Sequence, residues 1–362
     1  MKSIMIIAYS NFNLGDDLFI KILCERYPNI KFVLYAPKEY KKSFRKNTNL
    51  SIFPSNNIII RGLNFLFKTL KIKTSIPLLI SKKCKAIVQI GGSIFIESEG
   101  WRNKKENKKR MLNENRPFFV LGANFGPFKD NDFYLWNKEM FRKYADICFR
   151  EKHSYEMFND LENVRMADDI VFQLNKKEFK QGENNIVISV IKPSYRKELT
   201  NYDDIYYNKI KDITIYFIKK GYKVTLMSFC ENEGDKEAIE KIMRLIPFDY
   251  LNNNVKKYFY KLDMEEALNI ISASNFVIAT RFHSMILGWV YNKPVFPIVY
   301  SDKMTNVMKD IGFTGSYTDF NNIYELKPQQ VFDSMETNLI DVLKQVKNAE
   351  KHFEKLDEYL LK

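Results

Sequence analysis

The chain has 362 residues, 45% apolar and 15% aromatic, which is enough for two domains with cores of their own and too apolar for a disordered chain. Its net charge of +13 suits an anionic membrane surface, an anionic substrate or nucleic acid, or simply reflects the Lys, Asn and Ile bias of the whole chain. No apolar run reaches the ~20 residues of a membrane helix, no nucleic-acid-binding motif is present, and Cys24, Cys84, Cys148 and Cys230 are too scattered for a metal site, so a reducing cytoplasm is expected.

Residues 1–10 read as a first buried strand, centred on 4–8, because 11–17 offer no small-residue cleavage pattern of a leader peptide. Leu14, Leu18, Ile22 and Leu23 then follow a 3.6 period and predict a helix. Further strands are predicted at 31–35, 86–90, 118–121 and 146–149. Between them, residues 58–80 interleave basic and large apolar residues, and Lys82, Lys83 and Lys85 extend the positive charge. That stretch is too interrupted to span a bilayer. It reads either as a helix packed on the core or as one lying in an anionic membrane interface. The polar run 176–185 is the best linker and places a boundary near residue 180. Beyond it, strands at 186–190, 224–229, 276–279 and 295–299 alternate with helices at 203–219, 235–245 and 264–273. Residues after Lys327 read as one amphipathic helix with Val331, Met335, Leu339, Val342 and Leu343 on one face.

This alternation predicts an α/β protein with two Rossmann-like domains facing a cleft, residues 1–180 and 181–326, followed by a helical tail, 327–362. In such folds ligands bind at the carboxyl ends of the strands, where helix amino-termini attract anions. Several motifs fall at such ends. Asn13-Leu-Gly-Asp16 follows the first strand; Gly15 permits a close backbone approach, while Asp16 and Asp17 equally suit the helix dipole. Gly91-Gly92 and Gly122-Ala-Asn124 follow the strands at 86–90 and 118–121, and neither forms a phosphate-binding loop of the usual kind. Arg150 closes the strand at 146–149. Arg281-Phe282-His283-Ser284 closes the strand at 276–279 and opens a helix, and Lys303 opens the next one. Arg281 offers a fork for a carboxylate or phosphate, with Arg150 as a second arm of the clamp, and His283 can move a proton near neutral pH. Only three histidines occur; His153 and His352 are read as surface and structural residues.

Taken in order, Asn13-Leu-Gly-Asp16, Gly91-Gly92, Gly122-Ala-Asn-Phe-Gly-Pro127, Arg150 with Ser154, Asp169-Ile-Val-Phe172, Ser228-Phe-Cys-Glu-Asn-Glu-Gly-Asp235, Arg281-Phe-His-Ser284 and Tyr300-Ser-Asp-Lys303 resemble the polysaccharide pyruvyltransferase family. The resemblance spans residues 1 to about 315, and its most specific element is Arg-Phe-His-Ser joined to the downstream Tyr and Lys. One departure is Gly91-Gly-Ser93, where a third glycine is common. The resemblance implies a GT-B-like fold and transfer of pyruvate from phosphoenolpyruvate to two hydroxyls of a sugar, forming a cyclic ketal with loss of phosphate.

Under that expectation Arg281, Arg150 and the backbone amides near His283 and Ser284 anchor the donor's carboxylate and phosphate. His283 is the general acid–base, Lys303 assists the leaving phosphate, and Asp16, across the cleft, orients or deprotonates the acceptor. Phe282, Asn13, Gly15, Gly91, Gly92 and Asn124 complete the expected binding set. No cofactor or metal is expected. The acceptor is a saccharide, either free or lipid-linked at the cytoplasmic face of the membrane. Two other readings remain open on these residues: a GT-B glycosyltransferase in which Arg281 and Lys303 hold a nucleotide-sugar diphosphate, and a catalytically inactive carbohydrate-binding protein on the same frame.

Overall fold

The computed structural model describes residues 3–361 other than 71, 73, 113–115 and 177–183, together with all side chains in that range except those of 68, 104, 106 and 107. By its contacts the chain forms two units, one of residues 1–10, 18–173 and 346–362, the other of 11–17 and 174–345. The boundary expected near residue 180 lies outside the described residues.

In the first unit a seven-stranded sheet has the order β3-β2-β1-β4-β5-β6-β7. Its strands are β1 (Ile4–Ile7), β2 (Phe32–Ala36), β3 (Leu50–Pro54), β4 (Ala86–Ile90), β5 (Phe118–Ala123), β6 (Asp146–Phe149) and β7 (Val164–Met166). The second unit holds a six-stranded sheet ordered β10-β9-β8-β11-β12-β13. These are β8 (Asn185–Ser189), β9 (Lys223–Ser228), β10 (Val255–Phe259), β11 (Phe276–Ala279), β12 (Val295–Val299) and β13 (Thr318–Asp319). Every pairing in both sheets is parallel. Counted within each unit, both sheets begin 3-2-1-4-5-6, the doubly wound order of dinucleotide-binding folds, and the order reverses between β1 and β4 and again between β8 and β11. Two Rossmann-like units of an α/β fold are therefore present, as the sequence predicts.

Strands beside these reversals are apolar along their length because helices cover both faces: β5, β11 and β12 are buried at every residue. Aromatic rings fill the first core, with Phe158 within 4.8 Å of both Phe125 and Phe141. The second core is built on Ile186, Ile188, Tyr206, Phe217 and Phe276.

Two expectations need correction. Residues after Lys327 do not form one helix but three separate ones, Pro328–Asp333, Leu343–Ala349 and Glu354–Leu360. The break is chemical: buried Asn338 donates to the Val295 and Ser316 carbonyls at 2.7 and 2.6 Å and accepts from the Ser316 amide at 2.8 Å, pinning irregular backbone where a helix would have continued. The end of this tail belongs to the first unit, where His352 Nε2 bonds the Asp168 carbonyl at 2.8 Å and Asn348 donates to the Asp168 carboxylate. Of the two readings left open for the helix Ile58–Thr69, its exposed apolar residues do not support the one packed on the core. Only Ile60, Asn64 and Phe67 are half-buried, while Ile58 is 84% and Phe65 72% exposed.

Candidate functional site

The second unit gathers its chemistry where strand order reverses. Ser189, the last residue of β8, accepts hydrogen bonds through Oγ from the Thr280 and Arg281 amides at 3.0 and 3.1 Å, which fixes the turn leaving β11. Tyr206 supports the same turn by donating to Thr280 Oγ1 at 2.9 Å. Arg281 is thereby held at the start of the helix Phe282–Val290. Its guanidinium, however, is not open to a ligand: Nε lies 3.1 Å from Asp235 Oδ2, Nη2 pairs with Asp235 Oδ1, and Nη1 with Glu233. Asp235 is itself locked by the Phe229 and Cys230 amides at 3.0 and 2.9 Å. The fork assigned from sequence to substrate is engaged by the chain's own carboxylates. A buried guanidinium must be paired, and the Ser228–Asp235 segment supplies the pair.

Half-buried Arg196 and Lys303 add further positive charge. Arg196 Nη2 is 3.3 Å from Glu233, and its guanidinium carbon stands 4.3 Å from the centre of the Tyr300 ring. Lys303 Nζ lies 5.5 Å from the Tyr300 ring centre and 5.8 Å from that of Phe282. Burial pushes the Glu233 carboxyl up, but Arg281, Arg196 and Lys303 outweigh it and hold it at about 2. Burial likewise raises the Tyr300 phenol, yet Lys303, Arg196 and Arg281 together bring it down to about 8.

Four buried polar atoms of these segments are left over. Arg196 Nη1, Ser228 Oγ, Ser284 Oγ and Ser301 Oγ are buried with no hydrogen-bond partner among the described residues, a state that buried polar groups seldom tolerate without function. Arg281 and Ser301 sit at the N-cap positions of the Phe282–Val290 and Asp302–Asp310 helices, and neither caps with its side chain. Two helix amino-termini thus lack a cap from their own N-cap side chain, an arrangement suited to anions.

Next to it stands His283, half-buried, with its ring 5.0 Å from that of Phe282. The segment 11–17 reaches the same place. Leu14 donates its amide to the Phe229 carbonyl at 3.0 Å, Asn232 donates to Asn11 Oδ1 at 3.0 Å, and Asn13 Oδ1 accepts the Gly15 amide at 3.1 Å. Gly15 then lies directly against the imidazole: a Cβ added there would fall 1.7 Å from His283 Nδ1. The close approach expected at Gly15 is real, but the group that approaches is His283. Asp16 follows on the helix Leu14–Arg26 and is half-buried; its contacts group it with His283 in one unit, not across a cleft from it. Buried Asp17 accepts from the Tyr260 hydroxyl at 2.6 Å and is a structural residue.

The first unit has its own arginine cluster. Arg150, ending β6, is buried with Nη1 2.9 Å from Asp169 and Nη2 2.8 Å from Asn124 Oδ1. Gly92 makes room for it, since a Cβ there would meet the guanidinium at 2.4 Å. Ser93 Oγ donates to Asn124 Oδ1 at 3.2 Å, and Ser154 Oγ donates to Glu151. Gly91, Gly92, Asn124 and Arg150 are therefore brought together as expected, with the guanidinium engaged by Asp169 and Asn124. Sequence reasoning missed Arg196 entirely, and gave Glu233, Asp235 and Tyr300 no role although their motifs were visible. The available signal was two acids flanking a glycine after a strand, Glu233-Gly234-Asp235. Among the described residues no three His, Cys, Asp or Glu side chains converge as metal ligands.

Comparison with known proteins agrees with this arrangement of motifs. The chain is 23% identical over 291 residues to the amylovoran biosynthesis protein AmsJ of Erwinia amylovora, covering 74% of this chain and 69% of that one. HepE (Alr3699) of Anabaena, solved in complex with UDP and glucose, superposes with a TM-score of 0.57 at 12% identity over 99% of both chains. The UDP-GlcNAc 2-epimerase of Neisseria meningitidis, bound to UDP-GlcNAc, superposes at 0.58 with 9% identity over the whole of both. At such identities the likeness is one of fold, and it makes this fold GT-B-like. Residues 13–302, which hold the residues of the clusters above except Asn11 and Lys303, match the polysaccharide pyruvyl transferase family, and the chain belongs to that family of transferases.

Proposed function

We propose that the chain transfers pyruvate from phosphoenolpyruvate to two hydroxyls of a saccharide, forming a cyclic ketal and releasing phosphate. One observation carries the reading: beside His283, two uncapped helix starts, Lys303 and the unpartnered Arg196 Nη1 offer separate anchors for a carboxylate and a phosphate on a short frame. His283 protonates the donor's methylene carbon while one acceptor hydroxyl adds to the adjacent carbon and loses its proton. The phosphate then leaves with the C–O bond electrons, and the second hydroxyl closes the ring as it gives up its proton. Every atom of donor and diol is accounted for in ketal and phosphate, with no change of oxidation state. Lys303 and the helix amides stabilise the departing phosphate, and Asp16, in the same unit as His283, orients the acceptor. Nothing in this sequence of steps needs a metal, so activity is expected to survive EDTA.

The deciding experiment incubates the protein with phosphoenolpyruvate and a panel of glycosides. It follows phosphate release together with the ketal methyl signal by NMR. Release of UDP from a nucleotide sugar, with phosphoenolpyruvate untouched, would replace this reading with glycosyl transfer.

A lipid-linked acceptor at an anionic membrane surface completes the proposal. Residues 37–85 contain twelve Lys and Arg against a single acid, Glu39, and so hold most of the chain's net +13. In the same stretch Ile58, Ile59, Phe65, Leu66 and Leu70 are exposed on the helix Ile58–Thr69 and the turn after it. An apolar helix face within a basic patch is the composition of an interfacial segment, with ~1 kcal/mol for each Lys or Arg near the surface. Lys71, Lys73 and the side chain of Lys68, to which the sequence reading also pointed, lie outside the described residues. No helix among the described residues is long and apolar enough to cross a membrane. Sedimentation with anionic but not neutral liposomes, lost in high salt and on changing Ile58 and Phe65 to Ser, is the expected result. Equal binding to both kinds of liposome, or to neither, would remove the membrane from the proposal.

A further inference from the structure

In the first unit, the helix Trp101–Leu112 carries an unusual inward face. Its stripe at helical spacing is Trp101, Lys105, Lys108 and Leu112, so two lysines stand where a packed helix presents apolar residues. They face a cavity of about 410 Å³, within the ~300–1,000 Å³ range of small-molecule sites. Trp136, Phe95 and Phe133 form further walls, and Ile7 and Gln89, near the carboxyl ends of β1 and β4, lie at the point where strand order reverses.

Lys105 Nζ stands 4.2 Å from the Trp101 ring centre and 5.5 Å from that of Trp136, and Lys108 Nζ is 4.2 Å from that of Phe95. Neither lysine forms an ion pair among the described residues. Burial alone brings the Lys108 ammonium down to about 7, with no carboxylate opposing it. Ring faces offset part of that desolvation, but only an anion restores it in full. Trp101 Nε1 is also buried without a partner.

We propose that this cavity binds an anionic sugar residue, its carboxylate or phosphate drawn to Lys105 and Lys108 and its ring packed against half-buried Trp136. Tryptophan faces pack against the C–H faces of pyranose rings, and the two ammonium groups supply the charge selectivity. The inference rests on the proposed function for its meaning: it makes the saccharide acceptor an acidic one. Its binding test does not depend on that function.

Two of the chain's three tryptophans line the cavity, so intrinsic fluorescence reports its occupancy. The intact protein, without donor, is titrated with cellobiouronic acid against cellobiose, and with glucose 1-phosphate against glucose. The expected result is a fluorescence change with at least tenfold tighter binding of one charged sugar than of its neutral partner, lost at least tenfold in Lys108→Met. Preference for the uronic acid or for the phosphate identifies which anion the site takes. Lys105→Met serves if the first variant melts at lower temperature than the wild type. Equal affinities for charged and neutral sugars, no binding of any, or unaltered selectivity in the folded variants would overturn the proposal. Charge-selective binding with no consumption of phosphoenolpyruvate would leave it standing and reject pyruvyl transfer. Ketal formation on neutral glycosides by an unaffected Lys108→Met would do the reverse.

Discussion

Arg150 and Arg281 are alike in three ways: each follows the carboxyl end of a parallel strand, each is buried, and each meets a carboxylate from the loop after another strand. Their surroundings differ. Arg150 pairs with Asp169 and donates to neutral Asn124. Arg281 faces both Asp235 and Glu233, and Glu233 in turn recruits Arg196, with Lys303 and Tyr300 alongside. Three cations against two carboxylates leave one positive charge over, next to a histidine and two uncapped helix starts. A closed one-to-one pair holds a fold together. An extended network with half-exposed members can exchange charge with a ligand.

The sharpest way to break this comparison is to remove His283. If chemistry belongs to the second network, His283→Ala retains its fold and loses ~10²–10⁴-fold in turnover, the usual share of a general acid–base, while donor affinity changes less than tenfold. Near-normal turnover in the folded variant would end the assignment. Gly15→Ala is its companion, because the new Cβ must push the imidazole aside; turnover measured by phosphate release should fall about as far, with melting temperature nearly unchanged.

Stability distinguishes the two arginines next. Arg150→Met leaves Asp169, and Arg281→Met leaves Asp235, as a buried carboxylate without its cation, at a cost of ~3–5 kcal/mol for each broken buried pair; the second variant costs more because Glu233 also loses one of its cations, keeping Arg196. Denaturant unfolding checks the order. A loss of donor affinity in Arg281→Met with undiminished stability would return its guanidinium to the substrate. Lys303→Met should instead leave stability alone and raise the KM for phosphoenolpyruvate about ten- to a hundredfold, the ~1.5–3 kcal/mol of a charged hydrogen bond.

The smallest effect is the most diagnostic of the open network. Tyr300 titrates at about 8 when folded, against about 10 for a free phenol. Between these values the unfolded chain holds a proton that the folded chain has lost, so stability rises with pH across this window. The same ionisation sets a negative charge beside the anion anchors. The KM for phosphoenolpyruvate should therefore climb as pH passes about 8, and in Tyr300→Phe it should stay flat. A rise of equal size in both would assign the titration to another group.

The nine central strands were legible in the sequence because both of their faces are buried, and continuous apolar runs such as Phe276–Ala279 announce that directly. The four strands it did not reveal, β3, β7, β10 and β13, are the edges of the two sheets. They are short or half-exposed, and their residues carry little apolar signal. The site divided in the same way. Motif order located His283, Gly15 and Lys303, because strand ends and helix starts leave local traces in composition. Which charges those groups meet was decided only by tertiary structure. Arg281 with Asp235, Arg150 with Asp169, and Gly15 under the His283 ring are contacts across 19 to 268 positions of chain. No local pattern encodes them, and only the burial that brings each pair together determines whether a cation serves the fold or the substrate.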